Sequence, residues 1–190
     1  MHRLFFVAKR FALGLSLLVS MGAAQAALDI GEVAPDFTVP ASLSGNTITF
    51  TLSQALRKGP VVLYFFPAAF SVGCSIEAHA FAEAIADFES VGATVVGMSG
   101  DDINTLVKFS MQDCRGQFVV ASDQNKTVMK SYDAVMASHP DFANRISYVI
   151  APDSTVIYQY TSLNPGSHVK KVLAAVREWV TAHPTTAKKP

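Results

Sequence analysis

Long apolar runs are scarce in this chain, and so is any excess of one charge. Beyond residues 11–19, no segment is apolar for long enough to span a membrane. Fifteen Lys and Arg face fifteen Asp and Glu. With no basic run, nucleic acid is not an expected partner, and the Lys188-Lys189 pair reads as a solvated tail. Cysteine is rare, with only Cys74 and Cys114. The absence of a C-x-x-C pair excludes dithiol chemistry built on that motif. No glycine-rich phosphate loop occurs. His2, His79, His139, His168 and His183 show no metal-ligand spacing with each other or with the cysteines. No cofactor or metal is therefore expected. Internal repeats, low-complexity stretches and linkers are missing too, so one domain is the simplest account.

What is present begins with a start that looks like a leader. Residues 1–10 carry Arg3, Lys9 and Arg10 and no acid, residues 11–19 are mostly apolar, and Ala24-Gln25-Ala26 has the small-x-small form of a cleavage site. That is the layout of a secretory signal peptide, expected over 1–26. The apolar run is short for a membrane anchor, so cleavage would leave no membrane attachment. The expected compartment is outside the cytoplasm, in a bacterium the periplasm. Residues 27–182 are long enough to bury a sizeable core, and 183–190 read as a frayed tail. Without the three leader cations, twelve basic residues face fifteen acidic ones. Export gives the two cysteines meaning. In an oxidising compartment an even count fits a structural bridge or a redox pair, and a core of this size does not need a staple.

Hydrophobic patterning supplies the outline. Residues 36–39, ending at Pro40, and the alternating 47–52 flank Ser44-Gly45-Asn46, which predicts an N-terminal hairpin. Residues 61–66 form a continuous apolar run and read as a central strand. A helix follows Cys74, with Ile76, Ala80, Phe81, Ala84, Ile85 and Phe88 on one face and Gly92 ending it. Then come a strand at 94–98, a helix at 103–112 (apolar at Ile103, Leu106, Val107 and Met111), a strand at 118–121 and a helix at 126–132. Strands at 146–150 and 156–160 join through a turn at 151–154, and a helix at 169–180 closes the order. Asp101-Asp102 is placed to cap the 103–112 helix. Strands alternating with helices predict an α/β fold with a mixed, mostly parallel central sheet and helices on both faces.

Cys74 is the residue with the most chemistry in its surroundings. It falls in the first turn of its helix, where unsatisfied N–H groups and the positive end of the dipole favour an anion. A thiolate is such an anion and is the reactive form of cysteine, so a lowered pKa is expected. Ser71, three residues earlier, offers a hydroxyl to a thiolate or a bound oxygen. Gly73 removes bulk beside the sulfur, and Pro67 stiffens the strand exit. The bland alternative is an inert, buried cysteine.

The pattern Pro67-x-x-x-Ser71-x-x-Cys74 resembles the active-site motif of the peroxiredoxins, P-x-x-x-[T/S]-x-x-C. Gly31 to Phe37 (GEVAPDF) is similar to that family's G-x-x-A-P-D-F signature, Phe118 to Asp123 to its F-x-x-x-[S/A]-D segment, and Arg145 to Ile150 to its R-x-[T/S]-[F/Y]-V-I strand. The resemblance covers nearly all of residues 27–182 and implies a thioredoxin-like fold. It also implies that Cys74 is the peroxidatic cysteine, forming a sulfenic acid on a peroxide oxygen. Ser71 would then hydrogen-bond the substrate and the thiolate, Pro67 would shield the sulfenate, and Arg145 would hold the thiolate and polarise the peroxide. Without the motif, Arg145 would read as a solvated strand-start arginine. Glu77 matches an acid frequent in one branch of the family. Its ordinary reading is a first-turn acid complementing the helix dipole, and it is left out of the catalytic set.

Cys114 lies 40 residues after Cys74, just past the 103–112 helix. In the bacterioferritin-comigratory branch a resolving cysteine often sits five residues after the first. Here that position is His79. Other members carry it on the third helix, which Cys114 fits. The resemblance thus implies a Cys74–Cys114 disulfide formed in turnover, requiring local unwinding, or else a one-cysteine enzyme with Cys114 a bystander. Arg115 is expected to lower the Cys114 pKa or to be solvated. The implied partners are a peroxide, hydrogen peroxide or a small alkyl hydroperoxide, and an external thioredoxin-like dithiol. The chain itself is expected as a monomer or weak homodimer. Two other functions stay open: a redox sensor or disulfide relay, and a non-catalytic thioredoxin-like binding module with a structural Cys74–Cys114 bridge.

Overall fold

The run Val-Val-Leu-Tyr-Phe is too apolar to sit at a wet sheet face, and a strand of this kind is stable only with both faces covered. The computed structural model describes residues 27–184. The expected leader lies outside the described residues, as does all of the expected tail except His183 and Pro184. Seven strands form one sheet: β1 (Thr38–Leu43), β2 (Asn46–Thr51), β3 (Val61–Phe65), β4 (Thr94–Ser99), β5 (Val119–Ser122), β6 (Ile146–Ile150) and β7 (Val156–Thr161). Their spatial order is β2-β1-β5-β4-β3-β6-β7. The helices are α1 (Leu52–Leu56), α2 (Val72–Glu83), α3 (Ile85–Ser90), α4 (Ile103–Gln112), α5 (Thr127–Ser131) and α6 (His168–Ala182).

Strand β3 is buried at every position. Its side chains alternate between two cores. Val61, Leu63 and Phe65 pack with Leu52, Leu56, Val128 and Met129 from α1 and α5. Val62 and Tyr64, with Phe66 just past the strand, pack with Phe81, Phe88, Phe109, Val172 and Val176 from α2, α3, α4 and α6. Burying a phenylalanine such as Phe81 stabilises by about 1.5–3 kcal/mol relative to leaving it in water.

The sheet is mixed, with helices on both faces, yet it is less parallel than expected. Only β3–β4 and β4–β5 run parallel. The pairs β1–β2, β1–β5, β3–β6 and β6–β7 are antiparallel. Part of the reason is connectivity: α2 with α3, and then α4, cross between β3, β4 and β5 and give the parallel pairs, whereas short turns join β1 to β2 and β6 to β7 as antiparallel hairpins.

The N-terminal hairpin turns at Ser44 and Gly45, both at positive φ, the geometry of a two-residue turn that matches strand twist. Strand β1 continues through Pro40 to Leu43, past the expected end. At Pro40 the strand still has an open side, because β5 pairs only with Ala41 and Ser42, and a residue without an N–H is tolerated there.

Two helices differ in face from the expectation. Beyond Cys74 the helix breaks at Ala84 into α2 and α3. Ile76 is 49% exposed, while Cys74, Glu77, Ala78 and Phe81 point inward. In α4, Met111 is exposed and Phe109 and Ser110 are buried. The Ser110 hydroxyl is held by Ser42 Oγ at 2.9 Å and accepts from Gly45 N at 3.0 Å. Asp102 caps α4, accepting from Asn104 N and Thr105 N. No helix among the described residues is long and apolar enough to cross a membrane.

Candidate active site

Strand β3 delivers its end to the site, and Pro67 stops it. Phe66 N still donates to Met98 O at 3.0 Å; the next residue has no N–H to continue the ladder. The loop that follows is clamped to β4. Asp101 Oδ2 accepts from Ala69 N at 2.8 Å and from Ser99 Oγ at 2.7 Å. Phe70, at positive φ, turns its ring edge-on to Phe109 at 5.3 Å. Ser71 is the extended N-cap residue of α2, and its hydroxyl donates to Ala68 O at 3.1 Å. Among the described residues no hydrogen bond joins Ser71 to Cys74.

Cys74 is the third residue of α2 and is 1% exposed. Arg145, immediately before β6, reaches it. Arg145 Nη2 donates to Cys74 Sγ at 3.4 Å, and Nη1 donates to Glu77 Oε2. A planar guanidinium can serve two acceptors in this forked way, where an ammonium acts as a single point of charge. Gly73 makes room: a Cβ there would lie 3.0 Å from Arg145 Nη2. The arginine is buried, so the solvated reading does not hold. Burial disfavours its charge, but Glu77 and Cys74 outweigh that and hold its pKa above the usual arginine range.

Glu77 is fully buried, one turn after Cys74 on the same face. It is an interior partner of Arg145, in place of a first-turn acid facing water. Burial pushes its carboxyl up to about 7, against the opposing pull of Arg145. Behind it stands His168, the first residue of α6, also fully buried. His168 Nδ1 lies 2.8 Å from Ser147 Oγ and 3.6 Å from Glu77 Oε1, and Nε2 lies 2.9 Å from Ser162 O. Burial, and to a lesser degree Arg145, lowers the histidine pKa, while the Ser162 carbonyl opposes them.

Cys114 follows α4, with its N–H donated to Phe109 O at 3.1 Å. Both cysteines are free and buried in the same apolar cluster. Burial, then the neighbouring Asp113, pushes the Cys114 thiol well above its usual range. Arg115 does not offset this; it is exposed and pairs with Glu83 at 3.3 Å. Tyr64, stacked on Phe81 at 4.3 Å, carries a buried hydroxyl that feels Cys114, Glu77, Cys74 and Arg145.

The structure therefore brings Cys74 and Arg145 together, keeps Ser71 and Pro67 in the adjoining loop, and leaves Cys114 a free thiol in the same buried cluster. Sequence reasoning set Glu77 aside as a first-turn acid, although its spacing from Cys74 was an available signal. It also passed over His168, for which the chain offers no local signal. Among the described residues no group of three His, Cys, Asp or Glu side chains gathers as a metal site.

The AhpC/TSA family model matches residues 30–159. A chloroplastic peroxiredoxin Q from Triticum aestivum is 32% identical over 148 residues, covering 77% of this chain and 66% of that protein. A putative peroxiredoxin bcp from Helicobacter pylori is 29% identical over 154 residues, covering 78% of this chain and 98% of that protein. Thus the chain spans just under two thirds of the plant relative and nearly all of the bacterial one. Among solved structures, peroxidoxin BcpB from Mycobacterium tuberculosis is similar with a TM-score of 0.71 and 30% identity, over 78% of this chain and 96% of that one.

Proposed function

The chain belongs to the AhpC/TSA family, within its bacterioferritin-comigratory and peroxiredoxin Q branch, and from that premise we propose that it is a thiol-dependent peroxidase whose nucleophile is Cys74. One observation carries the reading: a buried guanidinium, Arg145, donates to the sulfur of a cysteine in the first turn of a helix. A donor fixed there is already in place for the negative charge that moves from sulfur to oxygen, so it stabilises that charge without reorganising.

The Cys74 thiolate attacks one oxygen of hydrogen peroxide or a small alkyl hydroperoxide. The S–O bond forms and the O–O bond breaks. The departing oxygen takes a proton and leaves as water or an alcohol, and Cys74 becomes a sulfenic acid. Ser71 Oγ, Gly73 N and Cys74 N are the loop and first-turn groups available to the substrate oxygens. Pro67, half-buried at the loop's start, limits water at the sulfenate.

Cys114 then resolves the intermediate. Its thiolate attacks the sulfenic sulfur, the disulfide forms, and the sulfenic oxygen leaves as water. The two Cα atoms must come within about 7 Å. Because both thiols are buried, Cys74 in the first turn of α2 and Cys114 just after α4, both segments must loosen to allow it. Two free thiols, with an arginine on one of them, support this redox pair over a structural bridge, which needs no arginine. An external thioredoxin-like dithiol reduces the disulfide. The charged start and the Ala24-Gln25-Ala26 site support export to an oxidising compartment such as the periplasm, where the protein acts as a monomer or weak homodimer.

Peroxide consumption with an added dithiol tests the reading. Cys74→Ser must abolish it; a Cys74→Ser protein that consumes peroxide as fast as wild type would end the proposal. N-terminal sequencing of the protein recovered from the periplasm tests export, with cleavage after Ala26 as the expected result.

A further inference from the structure

Beside Arg145 lie two titratable groups that the peroxidase chemistry above does not use. Glu77 and His168 are both 0% exposed, and Glu77 Oε1 lies 3.6 Å from His168 Nδ1. Every element packed around them presents a polar or titratable group. Cys74 faces them from α2, Arg145 and Ser147 from β6 and its start, and Tyr64 from β3. Tyr160 of β7 meets the imidazole edge-on at 4.9 Å.

The hydrogen bonds locate the protons on the ring. Ser162 O is a carbonyl and only accepts, so His168 Nε2, 2.9 Å away, carries a hydrogen. In the neutral ring Nδ1 then holds a lone pair. That single lone pair takes either the hydrogen of Ser147 Oγ, at 2.8 Å, or a proton from Glu77; in the second case the serine turns its hydrogen away. An ionised Glu77 has no proton to offer, and its Oε1 has no hydrogen-bond partner among the described residues. Glu77 Oε1 is thus left without a donor in a dry interior, 3.6 Å from Nδ1, which is costly unless a proton is held by one of the two groups.

Charge leads to the same place. Arg145 is the one buried arginine or lysine among the described residues. With Cys74 as a thiolate and Glu77 ionised, it would serve two anions, leaving the buried cluster net negative. One proton on the Glu77–His168 pair makes the cluster neutral. The direction of both shifts agrees: burial raises the Glu77 carboxyl and lowers His168, so neither group favours a separate charge.

We propose that Glu77 and His168 share a single proton between Oε1 and Nδ1, and that His168 is thereby a positioning residue for the reaction at Cys74. The proton cancels the charge of Glu77, so Arg145 keeps Glu77 as a neutral hydrogen-bond acceptor and directs its charge to the Cys74 sulfur and the oxygen being attacked. It stays on the pair and is not passed to the leaving oxygen. This inference rests on the peroxidase reading of Cys74.

Two measurements test it. The first needs no peroxide: ring-nitrogen NMR of His168 in the reduced protein across the neutral pH range. An inflection as the pair gives up its proton is expected at Nδ1 in wild type and absent in Glu77→Gln. An Nδ1 signal unchanged between the two proteins would overturn the shared proton. The second is the pH profile of the rate constant for reduced protein with hydrogen peroxide. The wild-type rate should fall as the pH rises through the pair's ionisation. In His168→Gln that fall should move down by about half a pH unit or more, because a single carboxyl holds the proton less tightly than the coupled pair. In Glu77→Gln it should vanish. Tyr160→Phe keeps the ring against His168 and should leave the profile in place. A His168→Gln profile that differs from wild type only by a constant factor would mean a structural role and end the positioning claim; His168→Asn serves if the glutamine variant does not fold. If wild type fails to consume peroxide, the peroxidase reading falls by itself. The same profile taken with iodoacetamide at Cys74 then decides the inference by the same shifts.

Discussion

Arg145 and Cys74 lie 71 residues apart in the chain and meet at 3.4 Å. Strand pairing brings them together. Phe65, the last residue of β3, sits opposite Ile146, the first residue of β6. The residue before β6 and the loop after β3 therefore emerge at the same end of the sheet, and α2 starts there with Gly73 leaving space for the guanidinium. Register thus brings together the arginine just before β6 and the loop that leads from β3 into α2.

Arg145→Lys tests how far the fork matters. A lysine keeps the charge but cannot present two parallel N–H groups to Cys74 and Glu77 at once. Loss of one preorganised donor of this kind lowers rate constants by roughly 100- to 1000-fold. The expected outcome is a fall of that size in the stopped-flow rate constant with hydrogen peroxide. A change within about threefold would show that charge alone suffices and that the fork is incidental.

Glu77 has a signature in stability. Its carboxyl is raised from the ordinary 4.5 to about 7 in the folded state. Between those values the folded protein holds a proton that the unfolded chain has released. The contribution is fully present below pH 4.5 and is lost as the pH rises through about 7. His168 slopes the other way: its lowered pKa adds stability above its ordinary value of 6.5 and loses it as the pH falls. Comparing urea unfolding of wild type and Glu77→Gln separates the two. The stability of wild type relative to the variant should decline by about 1–3 kcal/mol from pH 5 to pH 8. A difference independent of pH would place the carboxyl outside the interior.

Tyr64 supplies a test of the core itself. Its hydroxyl is buried and has no hydrogen-bond partner among the described residues, and an unsatisfied buried hydroxyl costs about 1–3 kcal/mol. Tyr64→Phe keeps the ring stacked on Phe81 and removes that cost. The variant should unfold at equal or higher urea concentration than wild type. A clear loss of stability would mean that the hydroxyl has a partner in solution.

Much of this architecture can be read along the chain, and the exceptions share a cause. The helix expected at 103–112 is α4 to the residue, because its apolar period and its Asp102 cap are local signals. The family-like segment 118–123 ends at Asp123, whose carboxylate accepts from Thr127 N, Val128 N and Met129 N; that part of the motif is a capping device for α5. Periodicity failed at Glu77, since a carboxylate scores as surface until its partner is known, and Arg145 arrives from 68 residues away. His168 was hidden for the same reason, its partners lying on α2, β6 and the loop before α6. The break at Ala84 has no glycine or proline to announce it. Ser71 was legible as a hydroxyl near Cys74, yet its actual hydrogen bond, to Ala68 O, depends on a loop conformation that residue types alone do not specify.

The proposed resolving step should be limited by two ties between α2 and the segment that carries Cys114. His79 Nε2 lies 3.4 Å from Asp113 Oδ1, and Arg115 Nη1 lies 3.3 Å from Glu83 Oε1. Asp113 and Arg115 flank Cys114, so both contacts must loosen when that segment moves toward Cys74. The Arg115–Glu83 pair is exposed and worth about 0–1 kcal/mol, whereas the His79–Asp113 contact joins a half-buried ring to a buried carboxyl. Removing both with His79→Ala and Glu83→Ala should therefore speed disulfide formation by roughly 2- to 10-fold, while the earlier reaction of Cys74 with peroxide keeps its rate. Cys114→Ser supplies the reference: after one equivalent of peroxide its Cys74 sulfenic acid should persist and be captured by dimedone, with no intramolecular disulfide by mass spectrometry. Quenching with a thiol-alkylating reagent at successive times, in wild type and in the double variant, reads the second step directly. A double variant that closes the disulfide no faster than wild type would show that the barrier lies elsewhere, in unwinding the first turn of α2 away from Arg145.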